Sequence, residues 1–341
     1  MKVLLIGPFP PPHGGISVHV AGIHRQLNAC GIKSQVLDTG KGKLGLGFAF
    51  SVLRYAIAGW TLHLHTNGHN QKSWLLACFC GLAGRIRGGS ILTLHSGMVP
   101  VYLESASRLR KVLARRTCEL YTRVICVSPE IRSALRTITP KAQAMEVLPA
   151  FLGTELAEAL EEPGLCKWLD RHRPVFSTVL FFRPEYGFDL LVDGLARMKR
   201  RYPSFGCLVM GSGEQRAQAE QRIQDAGLDK NMLLIGDVHH DACVALMSRS
   251  HVFLRATLED GDSISVREAL AMGVPVVASR VGTRPPGAIL FQPGDVNEML
   301  ARIQDALSVR QQTAPENAGC MARLLEIYRQ VDGSEGTLCL N

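Results

Sequence analysis

Leu254-Arg-Ala-Thr-Leu-Glu-Asp260-Gly-Asp-Ser-Ile-Ser-Val-Arg267-Glu268-Ala-Leu-Ala-Met-Gly273-Val-Pro-Val-Val-Ala-Ser279 is the stretch that decides the fold of this 341-residue chain. The apolar run Val252–Leu254 enters it as a strand, and a polar loop follows. Ser265–Ala271 has helical composition, and Gly273-Val-Pro then turns into the apolar run Val274–Ala278. Strand, helix and strand in that order make a βαβ unit, and such units build parallel sheets with helices on both faces. Asp260 sits in the loop and Glu268 within the helix, seven residues lying between them, so both can face one crevice at the carboxyl end of the strand. Ser263 or Ser265 is placed to cap the helix, whose first N–H groups then offer an anion site.

The same alternation extends in both directions. In the first half the expected strands are Val3–Ile6, Ser34–Leu37, Leu62–His65, Ile91–Leu94, Val124–Val127 and Glu146–Leu148, with helices at Ile16–Asn28, Lys72–Ala83 and Ser107–Tyr121. In the second half they are Val175–Phe181, Cys207–Met210, Met232–Ile235, Val252–Leu254, Val274–Ala278 and Ala288–Phe291, with helices at Asp189–Arg201, Glu214–Asp225 and Ser265–Ala271. The expected class is therefore α/β with two Rossmann-like domains: residues 1–165, residues 166–310, and a C-terminal helix and tail over 311–341. The polar segment Gly153–Arg173 reads as the hinge, and the residues after Asp332 as a loose tail.

Composition narrows the function classes. The basic excess lies wholly in the first 168 residues, with 19 Lys+Arg against 9 Asp+Glu, which points to an anionic partner on the first domain. A nucleic-acid reader is disfavoured, because the surplus comes without a recognition motif or interleaved aromatics. The ten cysteines are scattered singly, no secretory leader is legible, and the expected location is the cytoplasm, at the inner face of the membrane. Leu75–Ala83, the most apolar segment, is bounded by Lys72 and Arg85 and reads as a core helix too short to span a bilayer.

Several loops carry chemistry. Gly7-Pro-Phe-Pro-Pro-Pro-His-Gly14-Gly15 follows the first strand and opens a helix, where backbone N–H groups and the helix dipole suit an anion; a proline-stiffened turn needing glycine torsions accounts for it equally. It is not the dinucleotide fingerprint, so a nicotinamide enzyme is disfavoured. In Ser107–Thr117, Arg108, Lys111 and Arg115 share one helix face, which suits anionic headgroups or an acidic acceptor; a solvated face of a core helix explains it too. The loop Gly40-Lys-Gly-Lys-Leu-Gly-Leu-Gly47 lacks the Lys-Ser/Thr of a phosphate-binding loop and receives no catalytic role.

The Asp260-to-Glu268 segment, with its Glu-Ala-Leu-Ala-Met-Gly-Val-Pro-Val-Val-Ala run, resembles the paired-acid signature of family 4 retaining glycosyltransferases, which have the GT-B architecture of two facing Rossmann-like domains with a cleft between them. The resemblance runs from Gly14-Gly15 to about Phe291. It implies transfer of a hexose from a nucleotide-diphosphate sugar to a glycan or lipid-linked acceptor, as in surface-polysaccharide assembly. No cofactor or metal is implied, the nucleotide sugar being a substrate. By the same resemblance Glu268 holds the donor ribose, Asp260 contacts the transferred sugar, and backbone amides of Ser263, Ile264 and Ser265 meet the phosphates. His95, ending Thr93-Leu94-His95, faces the sugar, and the turns Gly211-Ser-Gly213 and Gly236-Asp237-Val238 serve the nucleotide.

One segment departs from the family. Where it carries an Arg and a Lys that grip the diphosphate, this chain has Phe181 and Tyr186. Charge develops on the leaving phosphate in such a transfer, so a cation is required there. Three explanations stand open: Arg183 serves from two residues along, Arg255 or Arg267 serves from the acidic loop, or the chain has lost activity and only binds. The enzyme alternative is a nucleotide-sugar epimerase of the same fold.

Overall fold

The computed structural model describes residues 1–40, 45–139, 145–150, 163–308 and 319–333. In the first part of the chain the elements run β1 (Lys2–Gly7), α1 (Gly15–Ala29), β2 (Lys33–Asp38), α2 (Leu46–Ile57), β3 (Thr61–Thr66), α3 (Gln71–Gly84), β4 (Ser90–Leu94), α4 (Val99–Ser105), α5 (Arg108–Leu120), β5 (Arg123–Cys126), α6 (Pro129–Ile138) and β6 (Met145–Val147). They continue with α7 (Pro163–Arg171), β7 (Val175–Val179), α8 (Phe188–Met198), β8 (Gly206–Met210), α9 (Arg216–Asp225), β9 (Met232–Gly236) and α10 (His240–Ser248). The last are β10 (Val252–Arg255), α11 (Ile264–Ala271), β11 (Val276–Ser279), β12 (Ile289–Phe291), α12 (Val296–Ser308) and α13 (Gly319–Asp332).

By compactness the chain divides into two units. The first comprises residues 1–11, 15–152 and 317–341, and the second residues 12–14 and 153–316. Each holds one six-stranded parallel sheet, so the α/β class and the two Rossmann-like units are as the alternation predicts.

In the first unit the strand order is β2-β1-β3-β4-β5-β6, all parallel. One side of the sheet is packed by α1 and α13, whose Val20, Ile23, Leu27, Leu324 and Tyr328 join Val3, Leu5 and Ile91 in one core. The C-terminal helix thus belongs to the first unit's core. It buries Tyr328 completely, and Arg323 reaches Glu146 on β6 at 2.7 Å. The second unit runs β12-β11-β10-β7-β8-β9. Its strands alternate between two cores: Phe176, Cys207 and Val209 pack with α8, α9 and α12, whereas Val175, Leu208 and Met210 pack with α7, α10 and α11.

Sheet order places the ligand crevices. Where a chain enters a sheet in the middle and later reverses direction, two neighbouring strands send their loops to opposite faces and leave a crevice at their carboxyl ends. In the second unit that point lies between β7 and β10, and in the first between β1 and β3.

Four expectations are corrected. Strand β7 ends at Val179 rather than Phe181, because the chain turns there into the loop that holds Phe181. Part of the hinge forms α7, an amphipathic helix that buries Leu165 and Leu169; residues 151–162 lie outside the described residues. The loop expected at Gly40–Gly47 gives way at Leu46 to α2, while residues 41–44, like the tail after Gly333, lie outside the described residues. Leu75–Ala83 is not a helix buried all round: α3 buries Trp74, Ala77 and Cys80 but leaves Leu75 and Leu82 more than half exposed.

Candidate active site

The acidic loop lies at the crevice of the second unit, between β10 and α11, and three loops lock together around it. Gly187 has φ +67°, and a Cβ there would fall 2.0 Å from the Ala256 carbonyl oxygen, so only glycine allows the loop after β7 to lie against the loop after β10. The Leu258 N–H donates to the Glu185 carbonyl at 2.8 Å across the same seam. On the other side a Cβ at Gly211 would meet the Leu180 carbonyl oxygen at 1.9 Å, and the Phe182 N–H donates to the Ser212 carbonyl at 3.1 Å. The Gly211 N–H donates to the Gly236 carbonyl at 2.7 Å, which draws in the turn bearing Asp237 and Val238. Gly211, Gly213, Asp237, Val238, Arg183 and the acidic loop therefore crown adjacent strand ends.

Asp260 sits at the centre of a charge network. Its Oδ2 accepts from Arg255 Nε at 3.0 Å and from Arg284 Nη1 at 3.0 Å, while Oδ1 accepts the Gly261 N–H at 3.0 Å. Both arginines are anchored further, Arg255 Nη1 on the Val179 carbonyl at 2.7 Å and Arg284 Nη2 on Thr257 Oγ1 at 3.0 Å. Burial by itself would raise the Asp260 carboxyl, but the two guanidinium charges outweigh it and hold the group below the usual carboxylate range. Beside it Arg267 Nε donates to Asp262 Oδ1 at 2.7 Å, a pair sealed from solvent. The network thus counts three guanidiniums against two carboxylates.

The two departures from the family pattern acquire a physical reading here. Tyr186 carries the Arg255 guanidinium over its ring, 5.2 Å from the centroid, and Phe181 carries that of Arg183 at 5.6 Å. The two rings meet edge to face with centroids 5.8 Å apart. Each aromatic that stands in place of a cation therefore supports an arginine, Arg183 from the same loop and Arg255 from the end of β10. Arg183 is exposed, and among the described residues no carboxylate pairs with it.

Glu268 is buried, and its Oε1 lies 2.6 Å from Nε2 of His240 at the start of α10. Ser263 occupies the N-cap position of α11 with extended backbone, yet makes no side-chain cap bond. Its hydroxyl pairs with that of Ser265 at 3.1 Å, so the expected serine cap is corrected. Ile264 begins the helix.

In the first unit, His95 follows β4 beside three other histidines. His63 and His65 project from one side of β3, two residues apart, and His19 comes from α1. His65 Nδ1 and His95 Nε2 are 3.1 Å apart, and His63 is fixed by the Tyr328 hydroxyl at 2.6 Å and by Thr93 Oγ1 at 2.7 Å. Burial, reinforced by His19 and His63, holds the His95 imidazole well below its usual range, and burial brings His19 down to about 4. The cluster is therefore neutral at neutral pH. His95 can give or take one hydrogen bond there without bringing a charge. His19, His65 and His95 each bring a ring nitrogen within 4.8 Å of the others, a set of neutral imidazoles also suited to a divalent cation. Gly15 opens α1 with open space where a Cβ would lie and φ outside the left-handed region, so neither packing nor torsion demands glycine there. Gly14 precedes it. Arg108, Lys111 and Arg115 lie on α5, with Arg115 paired to Glu119 at 3.0 Å.

Residues 173–308 match the protein-family profile "Glycosyl transferases group 1". The fold is that of the GT-B glycosyltransferases. The Anabaena protein HepE, solved with UDP and glucose, superposes with TM-score 0.70 at 18% identity, covering 97% of this chain and 95% of that one. Sucrose-phosphate synthase from Thermosynechococcus elongatus superposes with TM-score 0.74 at 19% identity, covering 97% and 98%. Among curated relatives, a phosphatidylinositol N-acetylglucosaminyltransferase component of Arabidopsis thaliana is 27% identical over 169 residues, 48% of this chain and 37% of that relative. The chain spans between 31% and 40% of the length of the first three curated relatives it matches.

Sequence reasoning missed Arg284, His240, His19 and His63. Arg284 lies in Gly282-Thr-Arg-Pro-Pro, after β11, and no spacing links it to Asp260. His19 had a legible signal, since it lies one helical turn beyond Gly15.

Proposed function

We propose that the chain is a retaining glycosyltransferase that moves a hexose from a nucleotide-diphosphate sugar to a glycan or lipid-linked acceptor. The observation that carries the reading is the position of the Asp260-to-Glu268 segment: it occupies the crevice between β7 and β10, inside the stretch that matches the group 1 profile. Glu268, oriented by His240, is positioned to accept from the donor ribose, and the start of α11 to meet the phosphates. Arg183, poised on Phe181, supplies the exposed positive charge for the leaving diphosphate, and Arg255 and Arg284 add a buried positive field. Asp260 works chiefly as the anion that holds those two arginines together, rather than as a ligand of the sugar alone. The likeness to a UDP-and-glucose-bound protein supports a nucleotide-sugar donor, and the phosphatidylinositol named in the Arabidopsis relative supports a lipid-linked acceptor. Neutral His95 gives the first unit's own crevice, beside β4, an uncharged hydrogen-bonding group.

Thermal unfolding against a panel of nucleoside diphosphates and nucleotide sugars tests donor binding, because a ligand of the native state raises stability in proportion to the logarithm of its concentration over its dissociation constant. A shift with one base names the donor, and no shift with any would refute the reading. Anomeric proton NMR of the product then decides between retention and inversion. Release of nucleotide and altered sugar without acceptor would favour epimerase chemistry. Binding without any turnover would favour a chain that has kept the fold and lost the reaction.

A further inference from the structure

All but one of the large apolar residues that stand exposed among the described residues belong to the first unit, and they follow a pattern. On α2, Leu46, Phe50, Leu53 and Ile57 recur at i, i+4, i+7 and i+11, a single stripe, with Leu46 92%, Phe50 70% and Ile57 61% exposed. The opposite side of the helix buries Val52 and Ala56. Next to it α3 repeats the spacing with exposed Leu75 and Leu82, half-buried Phe79 between them and, just past its end, exposed Ile86. Helix α5 adds Leu109, 82% exposed, and Val112. Helix α3 packs against α2 on one side and α5 on the other, so the stripes form one surface. Isolated exposed leucines mean little, but aligned stripes on three adjacent helices mark an interaction surface.

Charge says what the surface meets. No Asp or Glu occurs between Asp38 and Glu104, while that stretch carries Lys41, Lys43, Arg54, Lys72, Arg85 and Arg87. Arg108, Arg110 and Lys111 lie beside Leu109 and Val112 on α5. On α5 the one acid, Glu119, is already paired with Arg115 and Arg116, which leaves the cations in excess. A protein partner of mixed charge requires both signs, whereas apolar stripes flanked by a surplus of cations match a bilayer of anionic lipid. No described helix is long and apolar enough to cross a membrane, and α2, twelve residues long, has the build of a helix that lies in the headgroup plane.

We propose that the outward face of α2, α3 and α5 docks on an anionic lipid bilayer, with Phe50 and Ile57 entering the acyl boundary and Arg54, Lys72, Arg108 and Arg110 meeting headgroups. This assignment does not depend on the transfer chemistry. It widens the headgroup face expected from Arg108, Lys111 and Arg115 and supplies its apolar component, which electrostatics alone would lack.

The test is co-sedimentation of the full chain with phosphatidylcholine vesicles, with and without phosphatidylglycerol, at low and high salt. The wild type is expected to partition onto the anionic vesicles, more weakly at high salt. Phe50→Ser with Ile57→Ser is expected to lower partitioning about tenfold with unchanged circular dichroism and Tm, since both side chains are exposed. Lys72→Glu with Arg108→Glu, which touches no core contact, is expected to remove the preference for anionic lipid. Equal binding to neutral vesicles, or unaltered partitioning of both double variants, would overturn the proposal. So would lipid-free dimerisation in the ultracentrifuge that Phe50→Ser abolishes, which would give the face to a second copy.

Discussion

Replacing Asp260 by Asn separates two roles for that carboxylate. In the structure its Oδ2 is shared by Arg255 and Arg284, whose side chains are 10% and 3% exposed. The amide is isosteric but neutral, so two guanidiniums would remain buried and close with no anion between them. Removing one partner of a buried ion pair costs roughly 3–5 kcal/mol, because the remaining charge is neither solvated nor paired. For a unit of this size each kcal/mol lowers Tm by about 2–4 °C, so the expected fall is on the order of 6–20 °C. Scanning calorimetry of the full chain is the assay, with the second unit's transition followed separately if the two units melt apart. Adding Arg284→Met to the Asn variant removes one stranded charge and should restore part of the loss, a positive coupling in a double-mutant cycle. A carboxylate whose work is to bind the sugar would behave otherwise, with stability within about 0.5 kcal/mol of wild type and only transfer impaired. An unchanged Tm in Asp260→Asn would therefore refute the assignment of this residue to the arginines.

Arg183→Ala should weaken nucleoside diphosphate binding roughly ten- to a hundredfold, the value of a charge-assisted hydrogen bond, while leaving nucleoside binding unchanged in titration calorimetry. Phe181→Leu, which keeps the charge but removes its platform, should have a smaller effect in the same direction, worth about 0.5–1 kcal/mol. The buried histidines predict a pH dependence of stability. Their folded pKa values lie below the unfolded value of about 6.5, so the unfolded state binds more protons and the stabilisation is complete above that pH. It should be lost as pH falls from about 6.5, in the case of His19 down to about 4, and Tm measured across that window checks it. Donor binding should survive EDTA, since Asp260 and Asp262 are committed to arginines rather than open to a metal.

Much of the architecture was legible along the chain. Buried parallel strands are short β-branched runs, and all twelve expected strands appear within a few residues of their predicted ends, because periodicity and turn residues act locally. Helices were less complete: α2, α4, α6, α7, α10 and α12 were not anticipated. Helix α2 in particular was hidden behind the glycines of residues 40–47. The core assigned to Leu75–Ala83 failed because hydrophobicity does not say which side of a helix a protein covers. At the site, the spacing of Asp260 and Glu268 was readable because both belong to one loop and its helix. Arg284 and His240 were not, since they reach those acids from 24 and 28 residues away by way of other strands.

By itself the sequence determined the α/β class, the two sheets, the loops that crown the strands of the second unit, and the absence of a cation at positions 181 and 186. These follow from local chemistry: propensity, period, turn residues and residue identity. Only the tertiary structure decided where the replacement charges lie and what each acid does. Arg255 comes to rest on Tyr186, and Arg284 on Asp260, because parallel strands far apart in sequence bring their loops together at one edge of the sheet, while Arg183 folds back onto Phe181 within a single loop. The exposure of α2, α3 and α5 was decided in the same way, since a helix beside a sheet buries one side, and which side depends on what it packs against.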